Sequence, residues 1–130
     1  MLKNLVAFTA LACATGSAFA ENWVTVDPTP NRTISVDLDT IASDGVYRKV
    51  WVRSDWPNGV PNVRGGERVG RTVIRYTLRC SDHEFSSGQM AVYDHSFRLI
   101  DTVEGAPNKF EEPVPGSFAE KMINAHCASK

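Results

Sequence analysis

Long apolar runs are missing from this sequence, and their absence excludes a membrane-spanning helix. The longest, from Leu5 to about Ala14, falls far short of the roughly 20 residues that a helix needs to cross a bilayer. Positive charge is not in excess either: 14 Lys and Arg face 15 Asp and Glu, for a net charge of −1, which argues against a nucleic-acid partner. Histidine is scarce, and His83, His95 and His126 lack the i, i+4 or His-x-His spacing of a metal site. No Gly-x-Ser-x-Gly surrounds a serine. Ser81-Asp82-His83 holds the residue types of a hydrolytic triad, but neighbours in sequence cannot adopt triad geometry. Nothing here points to catalysis, and no enzyme is expected.

What is present starts with an address. Lys3 precedes the apolar run, and small residues end in Ala18-Phe19-Ala20, the small-x-small pattern that a signal peptidase cuts. Residues 1–20 are therefore expected to be a cleavable secretory leader, with 21–130 as a single domain. A competing pattern, Ala10-Leu11-Ala12-Cys13, loosely resembles a lipoprotein box in which Cys13 would be cut and acylated. Loss of Lys3 with the leader leaves 13 basic residues against 15 acidic ones, a net charge of −2.

Cysteine use changes meaning with the leader removed. Of three cysteines, Cys13 leaves, and Cys80 and Cys127 remain. Two lone cysteines in an oxidising compartment read as one disulfide. A bridge over so long a loop is worth about 4 kcal/mol in the chain-entropy model. No nucleophile motif surrounds either cysteine, and two thiols are too few for a metal site.

Strand signals fill most of the domain. Residues 23–26 read as a strand ending at Asp27-Pro28-Thr29-Pro30, and residues 33–38 alternate polar with apolar, so Ile34, Val36 and Leu38 are expected to face inward. Ser43-Asp44-Gly45 supplies a turn before a β-branched and aromatic strand over 46–54. Residues 56–70, punctuated by proline and glycine, are expected to form a long exposed loop. On the next strand Thr72, Ile74, Tyr76, Leu78 and Cys80 share one face, and Arg71, Val73, Arg75, Thr77 and Arg79 share the other. Residues 84–93 carry a break at Ser87-Gly88, Asp94-His95-Ser96 turns the chain into 97–103, and a proline-containing loop follows. Ser117 with Glu120 three residues on forms a capping box for a closing helix, whose Phe118, Met122, Ile123 and Cys127 lie near one face. The expected class is α+β: an antiparallel sheet of about five or six strands, with a C-terminal helix packed on it and tied by one disulfide.

The ordered set of Trp23, Asp37 with Asp39-x-Ile41, Val50-Trp51-x-Arg53, a glycine-rich loop, Cys80, Val92-Tyr93-Asp94, Pro115-Gly116-Ser117 and Cys127 resembles the surface-adhesin protein E family of Gram-negative bacteria. The similarity runs from Trp23 to Cys127, with two departures: no glycine follows Asp94 in its turn, and Phe110 stands where a tryptophan is expected. The resemblance implies an exported domain, periplasmic or on the outer-membrane surface, with a Cys80–Cys127 disulfide. It also implies an adhesin for host extracellular-matrix proteins; haem as a cofactor rests on the family alone, since no haem-attachment motif is present.

Strand parity nominates the binding residues. Lys49, Trp51 and Arg53 share a face of one strand, and Arg71, Arg75 and Arg79 share a face of another; were the strands neighbours, an aromatic and basic patch would form. Such a patch suits anionic glycans, lipid headgroups or acidic protein loops. Competing expectations are a periplasmic envelope, stress or inhibitor-type protein that meets no host, and a haem or metal carrier. The sequence does not speak to oligomeric state. Asn31-Arg32-Thr33 fits a glycosylation sequon, a pattern common by chance.

Overall fold

The computed structural model describes residues 22–127; the leader and Cys13 lie outside the described residues. Seven strands make one antiparallel sheet: β1 (Trp23–Pro28), β2 (Thr33–Asp37), β3 (Ala42–Asp44), β4 (Tyr47–Val60), β5 (Val69–Arg79), β6 (Glu84–Tyr93) and β7 (Leu99–Val103). Among the described residues one helix, α1 (Phe118–Cys127), follows. The strand order is β1-β2-β4-β5-β6-β7, and short β3 pairs with the start of β4 on the edge that β2 occupies further along. The sequence expectation of an antiparallel sheet with a terminal helix holds. The strand beyond the expected number is β3, read from sequence only as part of a turn. Gly45, at a φ of 59°, lets the chain reverse between Asp44 and Tyr47.

Period-two alternation on β2, β4 and β5 builds the core. Ile34, Val36, Val50, Val52 and Leu78 point to one side, where Met122 and Ile123 of α1 meet them. Ile41, Ile74, Tyr76, Phe85, Phe118 and Cys127 pack around this cluster. Burying each large aliphatic side chain is worth about 1.5–3 kcal/mol, which places most of the stability in this one layer. Burial of the Tyr76 phenol raises its pKa.

Capping and a covalent tie hold α1 in place. Ser117 Oγ accepts the Glu120 N–H at 3.3 Å, and Glu120 Oε1 accepts the Gly116 N–H at 3.2 Å. Cys80 and Cys127 are bridged, with Cα atoms 5.2 Å apart and a sequence separation of 47. The bridge fastens the last turn of α1 to the end of β5.

Three expectations need correction. Leu38 is not in the core but 43% exposed, because β2 ends at Asp37. The Asp37 carboxylate there accepts N–H groups of Asn22 (3.0 Å) and Asp39 (3.1 Å) and the Thr40 hydroxyl (2.8 Å), turning the chain. The stretch 56–70 is not one long loop: pairing lapses after Asp55↔Arg71 and resumes at Val60↔Val69, so only 61–68 leave the sheet. Pro57 and Gly59 sit in that irregularity, where proline needs no ladder partner. Finally, Ser87-Gly88 does not end a strand. It lies at a bulge, since Ile74 pairs with Met90 and Tyr76 with Ser87.

Candidate functional site

The helix covers only one face of the sheet, and the opposite face carries the residues that parity nominated. Strands β4 and β5 are neighbours, with Trp51 directly opposite Arg75, Lys49 opposite Thr77 and Arg53 opposite Val73. The Arg75 guanidinium carbon lies 5.7 Å from the Trp51 ring centroid, in cation-π range. Lys49, Trp51, Arg75, Thr77 and Gln89 line an open depression of about 370 Å³, walled at one end by Pro107.

That wall is built by backbone contact. Ser86 Oγ donates to the Pro107 carbonyl at 2.8 Å, and Gly105 packs on the backbone of Ser87 and Gly88, where a Cβ would find no room. The bulge in β6 and the glycine after β7 thus shape the site together.

Charge divides the nominated residues into two groups. Arg53 is ion-paired with Asp55 at 3.0 Å and stacks over Trp23 at 4.7 Å. Arg71 is paired with the same Asp55 at 2.6 Å and stacks over Phe97. Arg79 sits at the far end between Asp82 and Glu84, 3.0 and 2.9 Å away, over the Phe110 ring. Its hydrogen bond to Glu84 raises the pKa of the guanidinium. Lys49 and Arg75 have no acidic partner among the described residues, and Arg75 Nε is buried without an acceptor there. Lys49 and Arg75 thus stand beside Trp51 without an acid, while Arg53 and Arg71 share the single charge of Asp55.

A second depression of about 350 Å³ adjoins the first and shares Trp51, Val73 and Ala91 with it. Trp23, Asp37, Thr40 and Tyr93 complete its lining. Among the described residues no cluster of three or more His, Cys, Asp and Glu is placed to hold a metal, and no helix is long and apolar enough to cross a membrane.

A C-terminal helix tied by a disulfide to an antiparallel sheet is the arrangement that the resemblance implied. The surface-adhesin protein E family model matches residues 23–128. The chain belongs to the surface-adhesin protein E family. No curated protein matches it, and no solved structure does. Membership in a surface-adhesin family goes with export and with binding rather than catalysis, and agrees with the disulfide.

Within this family member, sequence reading missed Trp23, Tyr93 and Gln89 as parts of the face. Parity carried a signal for Tyr93, which pairs with Arg71. For Trp23 the signal was only its place at the start of a strand, because β1 reaches the face through β2. Gln89 is aimed by the bulge, which cannot be located without the register.

Proposed function

We propose that this protein is an exported, non-enzymatic binding module that docks a macromolecular partner on its uncovered sheet face, in the manner of a surface adhesin. The observation that carries this is the convergence of Lys49 and Arg75, neither neutralised by an acid, on the half-buried ring of Trp51. Cations without an acidic partner can supply charge-assisted bonds to an acidic ligand. Aromatic and arginine side chains are also the types that concentrate binding energy at interfaces. Host extracellular-matrix components and anionic glycans have the matching chemistry.

The test is capture from matrix and envelope extracts by the immobilised protein, in parallel with Arg75→Ala and with Lys121→Ala on the helix. Capture should fall with Arg75→Ala and with rising salt, and should survive Lys121→Ala. Equal capture by all three proteins would reject the face. Protease shaving of intact cells then separates the two addresses, since a surface adhesin is removed and a periplasmic resident is spared.

A further inference from the structure

Resting on the binding-face reading, we infer that the partner is a linear, densely sulfated glycan that lies along β4 and β5 and meets a row of five cations in turn.

The register of the two strands builds the row. Arg79 stands opposite Tyr47, Lys49 opposite Thr77, Arg75 opposite Trp51, Arg53 opposite Val73 and Arg71 opposite Asp55. Read along the strand axis, a cation comes at every second residue, taken alternately from β5 and β4. At the usual rise that is one cation every 7 Å or so, over a line of about 27 Å. Two open depressions of about 370 and 300 Å³ succeed each other on this line and share Val73. Lys49 and Arg75 line the first, Arg53 and Arg71 the second, and neither lining contains an acid.

The row is also held in place before any ligand arrives. All five cations are half-buried. Each of the four arginines lies over an aromatic ring: Arg53 over Trp23, Arg71 over Phe97, Arg75 over Trp51 and Arg79 over Phe110, at 4.7, 4.3, 5.7 and 4.1 Å. Side chains already fixed lose little freedom on binding. Carboxylates are confined to the two ends, where Asp55 is shared by Arg53 and Arg71, and Asp82 and Glu84 flank Arg79. The middle of the line, at Lys49 and Arg75, has none among the described residues, so attraction is strongest there and extends both ways.

A regular row of cations calls for a ligand with anionic groups at close and regular intervals. Sulfate esters on a sugar chain supply this, and their oxygens accept the guanidinium fork. An acidic peptide has a comparable charge spacing but fits less well. Peptides that bind sheets gain main-chain hydrogen bonds at an edge. Strands β4 and β5 are interior, with their main-chain groups committed to β2, β3, β6 and each other. A flexible peptide would lose backbone freedom at each residue without that return, whereas rigid sugar rings lose less.

Calorimetric titration of the whole chain tests this with heparin oligosaccharides of graded length, desulfated heparin, polyglutamate and oligothymidylate. A heparin decasaccharide should bind saturably, about tenfold or more tighter than a heparin disaccharide or any of the other probes. Lys49→Ala and Arg75→Ala should each weaken it about tenfold, and each should lower the salt dependence by about one ion. Asp55→Asn, which frees Arg53 and Arg71 of their shared carboxylate, should tighten it about threefold or more. Lys49→Ala carries the test if Arg75→Ala fails to fold. No binding of the decasaccharide, no gain with length, or equal binding of desulfated heparin overturns the inference. Polyglutamate or oligothymidylate bound tightest, and lost in Arg75→Ala, would reject the glycan but keep the face. Capture from extracts that ignores Arg75→Ala would reject the face itself.

Discussion

Asp94 shows at the scale of one residue how much a single carboxylate can organise. It is 5% exposed, and its Oδ1 accepts the Ser96 N–H at 2.8 Å and the Arg98 N–H at 3.0 Å, while Oδ2 accepts Arg98 Nε at 3.1 Å. The Arg98 N–H is the largest of the influences that hold its pKa below the ordinary carboxylate value. Between these anchors Phe97 takes a φ of 60°, a conformation that the glycine missing from this turn would adopt freely. A carboxyl with a lowered folded pKa stabilises fully above its unfolded value, and that stability is lost as pH falls from about 4 through the lowered value. Asp94→Asn should therefore melt below the parent at pH 7, with the gap closing as pH drops toward 2. Melting curves across that range check it, and a constant gap would contradict the assignment. The turn was legible from Asp94-His95-Ser96, but the clamp was not, because side-chain acceptors report their partners only in three dimensions. The same holds for Arg53 and Arg79: parity placed them on the outer face, yet Asp82 and Glu84 flank Arg79, and Asp55 is shared between Arg53 and Arg71.

At the scale of elements, local signals were the most readable. Ser117 and Glu120 announced the start of α1, and the alternation on β5 separated a core face from an outer face. Where reading failed, non-local pairing decided. Residues 56–59 look like loop because of Pro57, Asn58 and Gly59, yet β4 resumes pairing beyond them at Val60↔Val69. Leu38 continues the alternation of β2 past the point where Asp37 turns the chain. The Cys80–Cys127 tie fastens α1 to the end of β5 beside the core cluster, so its removal acts on their docking. Cys80→Ser with Cys127→Ser should cost about 4 kcal/mol by the loop-entropy estimate, roughly 15–25 °C in melting temperature for a domain of this size. Thiol titration of the native protein should give no free thiol among this pair. A double variant melting within a few degrees of the parent would remove the bridge from the account.

The whole molecule has two unlike faces. On one, α1 and the aliphatic rows of β2, β4 and β5 exclude water; on the other, Trp51 lies beside Lys49 and Arg75, which have no acidic partner among the described residues. Membership in the surface-adhesin protein E family and the α+β architecture were both legible from the ordered motifs and the alternation. The patch was legible only as a condition, since parity names faces but not neighbours, and the β4–β5 register supplied the missing step by setting Trp51 against Arg75. Distinguishing Lys49 and Arg75 from Arg53 and Arg79 then required the ion pairs. The most direct measurement is an amide chemical-shift titration of the isotope-labelled protein with the partner recovered by capture. The largest shifts should fall at Lys49, Trp51, Val73, Arg75 and Gln89, with α1 unmoved. Shifts concentrated on Phe118–Cys127, or spread evenly over both faces, would contradict a binding surface on the open sheet.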